Sequence, residues 1–326
     1  MARLKINEET YRRIYKRQWL DRWHAYYDAS IHATPKEAPS VSVATILRPA
    51  KLGGRPFHSL SLGETWASLL ALYNPGVWDV HEQRILYPTP RPHFLAGHPR
   101  GLGQSFSPFA GTVDVADRLG MLSKHPKFSI QVEENGEPII ETIPFFYIGD
   151  LLLYLEDEIG AFVVNWTVKD DETAFRRRQF DSSGRACIAE DNEGVINRHR
   201  LEEVYYADAG VRTQRISKEQ IDLNLRCNLR DLFLAHSVCV FIDAESREEV
   251  NEFFCSAVGS GVPGNQLCRE VESSFGVTGH EAAVLLKQAV WQRRVRVDLF
   301  SPFHVNEPLY PEREDALVRY ANWFKR

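Results

Sequence analysis

Cysteines are few in this sequence, and none of them lies in a Cys-x-x-Cys pair. The 326 residues include five cysteines, which are widely spaced and odd in number. Structural zinc sites usually pair cysteines at short spacings, and disulfide frameworks use an even number of cysteines, so we expect neither here. The cysteine content favours a reducing compartment such as the cytosol. The cysteines are Cys187, Cys227, Cys239, Cys255 and Cys268.

Long apolar runs are also missing. No run reaches 18 apolar residues, and the most apolar stretches, Ile148–Leu155 and Ala161–Val168, have the length of strands. Residues 1–7 are charged and contain no apolar core of a secretory signal. We therefore expect no membrane partner and a cytoplasmic location.

An excess of positive charge is lacking too, since the net charge is -5 and the pI about 6.1. This balance excludes a protein coated in basic charge, but a local basic patch can still bind DNA. Hydrophobic residues make up 44% and charged residues 25%, which is typical of a globular chain with a real core. The length favours two domains.

Several enzyme signatures are absent. The sequence has no Walker A loop, no His-Asn-His pattern, no Gly-x-Ser-x-Gly elbow and no dinucleotide fingerprint between a strand and a helix. It therefore disfavours ATPases and hydrolases of those types. We also find no internal repeat and no low-complexity tract.

Aromatic residues recur at positions 11, 15, 19 and 23, a spacing that predicts an amphipathic helix over residues 9–27. This helix could be a basic and aromatic element lying on DNA. The alternative, which we favour, is a helix that packs on its own protein with a solvated basic face. The candidate DNA contacts are Arg12, Arg13, Lys16 and Arg17.

The pattern predicts a helix over residues 61–73 with Ser61 as N-cap, and then a strand over residues 77–86. Residues 88–143 contain many prolines and glycines, so we expect a loop-rich insertion with short elements. Two apolar runs, Phe145–Leu155 and Ala161–Val168, predict an antiparallel hairpin.

Helices are predicted at about 172–180 and 197–209, the second closed by Gly210. After residue 222 the pattern predicts a helix over 248–258, a helix from the capping box at Thr278 to about 292, and a strand over 294–299. A helix followed by a short strand fits a winged-helix-like α+β domain. We therefore predict two domains, residues 1–222 and 223–326.

The hairpin carries the strongest chemical signal. Alternation along a strand places Thr167 and Lys169 on one face, and a turn near residue 158 places Asp150 across from residues 165–167. Asp150 and Lys169 then approximate the Asp…(Asp/Glu)-x-Lys signature of metal-dependent nucleases. Mg²⁺ prefers one or two carboxylates, which Asp150 and Glu64 would supply. Lys169 would activate the attacking water or stabilise charge, and Glu202 would hold a water or a second metal.

Each of these residues has a simpler interpretation. Glu64 follows Ser61 by three residues and could only cap its helix. Asp150 needs a partner if it is buried in its apolar strand. Lys169 ends a strand, where a solvated lysine is normal, and ordinary surface ion pairs would explain Glu202. The prediction depends on the combination.

These motifs, in this order, resemble the TnsA subunit of heteromeric bacterial transposases. The similarity covers most of residues 44–222, interrupted by 88–143, and continues weakly beyond. The segments that carry it are Phe57–Glu64, Leu69–Leu70, Val77–Gln83, Ile148–Leu152, Ala161–Lys169, Leu201–Tyr206 and Ile216–Ile221.

The resemblance implies an α/β fold with a restriction-endonuclease-like core, a mixed sheet flanked by helices. It implies Mg²⁺ dependence, with Mn²⁺ as a substitute, and cleavage of the non-transferred strand at transposon 5′ ends. It also implies a TnsB-like partner that cuts the 3′ ends, a TnsC-like ATPase bound by the C-terminal domain, and association with the bacterial nucleoid. By this similarity Glu64 and Asp150 are metal ligands, Lys169 is the catalytic lysine, and Glu202 is a further site residue.

Two features depart from the family. Thr167 stands where the family has a glutamine before Val-Lys, so the metal ligands at that corner are Thr167 itself, a water or the Val168 carbonyl. The insertion at 88–143 is longer than expected. Two other hypotheses stay open: a nuclease of the same superfamily that acts alone in defence, and a DNA-binding adaptor whose site has decayed, which Thr167 favours slightly.

Overall fold

The computed structural model describes residues 4–39, 42–134, 137–177 and 190–326. Cys187 and the end of the helix predicted at 172–180 lie outside these ranges. The described part begins that element as a short 3₁₀ helix, Glu172–Phe175. The chain divides into two compact units. The first contains residues 1–68, 76–218 and 324–326, and the second contains residues 69–75 and 219–323.

The helices and strands are numbered along the chain. Within the described residues the strands are β1 (Thr45–Leu47), β2 (Phe57–Ser59), β3 (Val77–Glu82), β4 (Ile85–Leu86), β5 (Lys127–Glu134), β6 (Glu137–Pro144), β7 (Tyr147–Ile148), β8 (Leu151–Asp157), β9 (Gly160–Lys169) and β10 (Arg212–Ser217). The α-helices are α1 (Glu8–Gln18), α2 (Leu62–Tyr73), α3 (Thr112–Arg118), α4 (Glu193–Asp208), α5 (Leu223–Ala235), α6 (Ala244–Ala257), α7 (Gly264–Phe275), α8 (Gly279–Trp291) and α9 (Ala316–Arg319). Short 3₁₀ helices lie at His24–Tyr26, Ala50–Leu52, Pro99–Gly101, Leu122–Lys124, Glu172–Phe175, Lys218–Gln220 and Ala321–Phe324.

The centre of the first unit is a four-stranded sheet in the order β10-β9-β8-β3. Strands β3, β8 and β9 pair antiparallel, and β10 pairs parallel with β9, so the sheet is mixed. Helix α4 packs on β10, and its Tyr205 and Tyr206 join Leu152 and Val163 of the sheet in one core. The predicted α/β class with a mixed sheet and flanking helices is confirmed.

The predicted hairpin of β8 and β9 is confirmed, with Leu151 opposite Trp166 and Asp157 opposite Gly160. Asp157 closes the turn, since its Oδ1 accepts from the backbone N–H groups of Ile159 and Gly160 at 2.9 and 3.2 Å. The register places Asp150, one residue before β8, beside the end of β9.

The N-terminal helix is shorter than predicted, because α1 ends at Gln18 rather than near residue 27. Tertiary contacts override the helical spacing here. Trp23 lies 4.6 Å from the Tyr154 ring, and the His24 backbone N–H donates to buried Asp79 at 2.8 Å. These contacts hold the chain in an extended and 3₁₀ conformation, in which His24 has φ of 49°.

The predicted helix at 61–73 is confirmed, and the Ser61 hydroxyl accepts from the Glu64 backbone N–H at 3.1 Å. The strand predicted over 77–86 is broken into β3 and β4 at Gln83, which has φ of 53°. A non-glycine residue in this conformation cannot continue a strand, and the composition of the segment gives no sign of it.

The segment predicted as a loop-rich insertion contains more regular structure than expected. It includes α3 and a hairpin of β5 and β6, each eight residues long. Most described side chains of this hairpin are exposed. Strand β5 alternates Phe128, Ile130 and Val132 with polar residues, a strand pattern that the prediction of a loop-rich segment missed, whereas β6 does not alternate. Phe128 is its buried contact, and it packs 5.3 Å from the ring of Tyr11.

The second unit is helical, with α5 to α9 among its described residues. The predicted helices at 248–258 and from Thr278 are confirmed, and Thr278 forms a full capping box with Glu281. The strand predicted over 294–299 is wrong, since only Val297 forms a bridge there, with Pro311. Side chains replace strand pairing, because Asn228 donates to the carbonyls of Leu299 and Ser301.

No helix in the described part of the chain is both long enough and apolar enough to span a membrane.

Candidate functional site

Glu64 lies in the first turn of α2 and is almost completely buried. Its Oε2 accepts from the Leu60 backbone N–H at 2.9 Å and from the Gln83 amide at 2.8 Å, and its Oε1 accepts from the Ser61 hydroxyl at 3.2 Å. Burial, with repulsion from Asp150, raises the pKa of Glu64 to about 8. Glu64 therefore does help to cap its helix, but its carboxyl group is also close enough to Asp150 for the two charges to repel each other.

Asp150 follows Gly149 at the start of β8. Its Oδ2 accepts from the Val168 backbone N–H at 2.7 Å and from the Lys169 ammonium at 3.0 Å. Burial would raise the pKa of Asp150, but the positive charges of Lys169 and Arg198 and the Val168 N–H outweigh it and lower the pKa. Asp150 therefore carries a negative charge at neutral pH.

The Lys169 ammonium lies between two oxygen atoms. It donates to Asp150 Oδ2 at 3.0 Å and to the Val168 carbonyl oxygen at 2.8 Å. These oxygens are the two that the sequence predicts as metal ligands at this corner. Their convergence on one ammonium group shows that the carboxylate before β8 and the carbonyl at the end of β9 can face the same positive charge.

Glu202 is buried on α4, so the interpretation as a surface ion pair is wrong for this residue. Its Oε1 accepts from the Asn165 amide at 3.0 Å and from the Thr167 hydroxyl at 2.9 Å. Arg198 Nη1 lies 4.0 Å from its other oxygen. Burial raises the pKa of Glu202, and the charge of Asp150 acts in the same direction. The surface ion pair belongs to Glu203, which binds Arg215 at 2.6 Å.

The structure places the four predicted residues close enough for their charges to interact. They are Glu64, Asp150, Lys169 and Glu202. The charge of Asp150 raises the pKa values of Glu64 and Glu202, and the charge of Lys169 acts in the opposite direction on both. Among the described residues, no three His, Cys, Asp or Glu side chains form a group that could hold a metal ion. A bound cation would therefore need main-chain oxygen or substrate oxygen in addition to the carboxylates.

Thr167 is placed toward Glu202. Its side chain is buried, and its hydroxyl donates to the Glu202 carboxylate. This geometry supports a role for Thr167 in positioning Glu202. Of Thr167 and the Val168 carbonyl, the carbonyl is the better candidate for a metal ligand.

The N-terminal basic residues are mostly engaged with acidic partners. Arg17 forms a bidentate pair with Glu37 at 2.8 and 2.9 Å, and Arg13 lies 3.7 Å from the same carboxylate. Arg12 pairs with Glu8 at 2.6 Å on the helix surface. Lys16 is exposed. Of the four basic residues predicted to contact DNA, Arg12, Arg13 and Arg17 therefore face acidic side chains of the protein itself.

Three residues of the site were not predicted. Gln83 donates a hydrogen bond to Glu64, and Asn165 donates one to Glu202. The positive charge of Arg198 lowers the pKa values of both Asp150 and Glu202. Asn165 gives a usable signal, since a polar residue in the middle of the apolar strand β9 requires a buried partner. The role of Gln83 depends on its unusual φ, which the sequence does not reveal.

Comparison of the chain with protein-family models and with curated protein sequences gave no match. The resemblance to TnsA therefore rests on its motifs and their order, and any activity is inferred from the site itself.

Proposed function

We propose that this chain is a metal-dependent DNA endonuclease that hydrolyses phosphodiester bonds at Asp150. The observation that carries the proposal is the convergence of Asp150 Oδ2 and the Val168 carbonyl on the Lys169 ammonium, with buried Glu64 close enough to feel the charge of Asp150. A carboxylate, a carbonyl and a lysine at the ends of paired strands match the needs of phosphodiester hydrolysis.

The donors fit a hard divalent cation. Asp150, Glu64 and the Val168 carbonyl offer oxygen atoms only, which is the ligand set that Mg²⁺ and Mn²⁺ prefer. Burial next to Asp150 disfavours the charged form of Glu64, so a bound cation would stabilise the ionised carboxylates of both residues. When bound, the ion would neutralise charge on the phosphoryl group and acidify the attacking water.

The protein's own groups would position the reaction. Asp150 is fixed by the Val168 N–H, and Glu64 is fixed by Gln83 and the Leu60 N–H, so both carboxylates are oriented before substrate binds. Lys169 would leave its two oxygen partners and donate to the attacking water or to a phosphate oxygen. Glu202, held by two donors, would order a water nearby.

We propose a more specific assignment from the resemblance. The first unit would be a restriction-endonuclease-like core, and residues 223–326 a winged-helix-like domain. The chain would nick the 5′ strand at transposon ends, beside a TnsB-like transposase and bound to a TnsC-like ATPase. The support for this assignment is the order of the motifs along the chain.

A second candidate is a DNA-binding adaptor without cleavage activity. The observation that favours it is that Thr167, which stands where the TnsA family has a glutamine, donates its hydroxyl to Glu202. An adaptor would bind transposon-end DNA without forming a nick.

The test is strand-mapped cleavage of transposon-end DNA with Mg²⁺ or Mn²⁺ and the TnsB-like partner. Wild type is compared with Asp150→Ala and with the control Asp170→Ala. Asp170 lies one residue after Lys169, and its partially exposed carboxylate pairs with Lys218 at 3.2 Å. The charge change is the same in both variants, but only Asp150 belongs to the site.

We expect the 5′-strand nick to disappear in Asp150→Ala and to persist in Asp170→Ala, with 3′ cleavage by the partner unchanged. Cleavage without the partner would favour the nuclease that acts alone. Identical products from wild type and Asp150→Ala would refute the site, and the absence of any 5′ nick would favour the adaptor.

A further inference from the structure

A cavity of about 270 Å³ opens beside Asp150 in the first unit. Its lining includes the polar residues Gln83, Asp150 and Arg198. Its lining also includes apolar and aromatic residues, among them Ile31, Phe146 and Tyr147. The hydrolytic site proposed above thus borders a hollow that none of its proposed steps uses.

Among the polar lining residues, Arg198 suits a phosphate. Arg198 anchors one nitrogen on the Ile148 carbonyl at 2.5 Å and keeps its side chain about one-third exposed. A guanidinium has five N–H donors, so donors are left for an anion. Gln83 donates its amide nitrogen to Glu64, which leaves its amide oxygen to accept from an N–H group of a ligand such as that of a base, not to bind the phosphate.

The aromatic lining residues suit a flat apolar group. The Phe146 ring is held by stacking on Tyr11, with 4.6 Å between centroids and 8° between planes. Tyr147 is held edge-on by His125 at 5.2 Å. Tyr147 is partly exposed, so its ring can stack on a nucleobase, whereas Phe146 is buried and keeps the cavity lining apolar. The energy of such stacking depends little on which base is bound.

We propose that this cavity receives the base of a nucleotide adjacent to the cleaved phosphodiester, turned out of the duplex, while Arg198 binds its phosphate. The proposal rests on the proposed nuclease function. A cationic donor and a partly exposed aromatic ring in the lining of one cavity match the phosphate and the base of a nucleotide. Enzymes that turn out a base must supply such a pocket to offset the lost stacking and pairing.

The test fills the cavity. Ile31 is partly buried in the cavity lining and lies outside the catalytic groups, so Ile31→Trp should occupy the space of the base. The control is Ile159→Trp, the same change at a side chain 75% exposed in the turn between β8 and β9. Each protein is assayed on intact DNA and on DNA that lacks the base beside the cut.

We expect Ile31→Trp to cleave intact DNA more slowly than wild type by roughly tenfold or more, since turning out a base costs a few kcal/mol without a pocket. It should cleave the abasic DNA at the wild-type rate, which also shows that it is folded. Ile159→Trp should cleave both at the wild-type rate. Equal cleavage of intact DNA by wild type and Ile31→Trp would overturn the proposal, as would equal losses on both substrates.

A binding measurement separates this proposal from hydrolysis itself. With Ca²⁺ in place of Mg²⁺, single mismatches are moved along the transposon-end duplex. One position should tighten binding by wild type and Ile159→Trp by about tenfold, because a mismatched base is easier to turn out. Ile31→Trp should lack this preference. If wild type cleaves nothing but shows the preference, the pocket stands and hydrolysis fails; if no position tightens wild-type binding, the pocket is refuted.

Discussion

The pKa values of two neighbouring carboxyl groups of the site, Glu64 and Asp150, are shifted in opposite directions. Burial and the charge of Asp150 raise the pKa of Glu64 to about 8, whereas Lys169, Arg198 and the Val168 N–H lower the pKa of Asp150 against its burial. In the absence of a divalent cation, the proton therefore stays on Glu64 and the negative charge on Asp150. Environments that separate two carboxyl pKa values are characteristic of groups with different chemical roles.

The raised pKa of Glu64 predicts a pH dependence of stability. The folded protein keeps a proton that the unfolded chain releases above pH 4.5, so this stabilisation is complete below that pH and is lost as the pH rises to about 8. One proton contributes a slope of at most about 1.4 kcal/mol per pH unit. Urea unfolding between pH 5 and 8, without divalent cations, should show a smaller slope for Glu64→Gln than for wild type.

Glu82 and Glu202 also have raised pKa values, so the difference between the two proteins is the informative quantity. Glu203→Gln, at a partly exposed position paired with Arg215, is the control and should keep the wild-type slope. Equal slopes for Glu64→Gln and wild type would show that Glu64 titrates normally in the folded protein.

Thr167 gives a second prediction at this scale. Thr167→Val removes the hydroxyl that donates to Glu202 while keeping the volume, so the free energy of unfolding should fall by about 1 kcal/mol or more. Thr167→Ser keeps the donor and should lose less. Chemical denaturation measures both, and a valine variant as stable as wild type would contradict the positioning role of Thr167.

At the scale of elements, the sequence predicts best where the pattern of side chains and local geometry agree. Strands β8 and β9 are buried, apolar and joined by an acidic turn, so their pairing and the place of Asp150 are predictable. The β5–β6 hairpin is largely solvated, and only β5, with Phe128, Ile130 and Val132 between polar residues, shows the alternation that reveals a strand. The end of α1 is set by contacts of Trp23 with distant residues, which local spacing cannot reveal.

The same reasoning explains the site. Asp150 and Lys169 follow from strand alternation, whereas the helix start predicts Glu64 only as a cap, and its role as a metal ligand is what the resemblance to TnsA implies. Arg198 reaches Asp150 from α4 only because α4 packs on the sheet, and Gln83 reaches Glu64 through a backbone conformation unusual for its residue type. The spacing of residues along the sequence therefore does not predict contacts such as these, which join elements distant in sequence.

The approach of α2 to β9 depends on a glycine. A Cβ atom at Gly63 would lie 3.3 Å from the Lys169 carbonyl oxygen and 3.4 Å from Val168 Cγ1, so an added methyl group should displace the helix start by a few tenths of an ångström. We expect Gly63→Ala to reduce cleavage roughly threefold to tenfold, since small displacements at reacting groups are costly.

Gly149→Ala is the matched control, also adjacent to the site, because its Cβ would meet nothing closer than 3.5 Å. It should cleave at close to the wild-type rate. Full activity of Gly63→Ala, or an equal loss in both variants, would contradict the importance of this helix approach. Single-turnover cleavage at saturating metal is the measurement.

At the scale of the whole molecule, the two units exchange short segments of sequence. Residues 69–75 belong to the second unit, where the Tyr73 ring lies 5.6 Å from Trp291 and under the Arg293 guanidinium at 5.2 Å. The predicted domain boundary at 222/223 therefore separates Tyr73 from its partners, although 1–222 contains all four proposed catalytic residues.

We expect the fragment 1–222 to retain the site but to unfold at a lower temperature than the full chain, because Tyr73 loses its buried environment. Tyr73→Ser in the fragment should recover solubility, since an exposed aromatic side chain favours association. Thermal unfolding and light scattering provide the measurements. A fragment as stable and as soluble as the full chain would show that residues 69–75 contribute little to its stability.

The central claim, that Asp150 holds a divalent cation during DNA cleavage, is tested most directly by exchanging its ligand atom. Asp150→Cys replaces a hard oxygen by a soft sulfur, so Mg²⁺ should no longer support cleavage, whereas Mn²⁺ or Cd²⁺ should restore it. Wild type with each ion is the reference. Cleavage by Asp150→Cys with Mg²⁺ at the wild-type rate, or no restoration by a softer ion, would contradict the account.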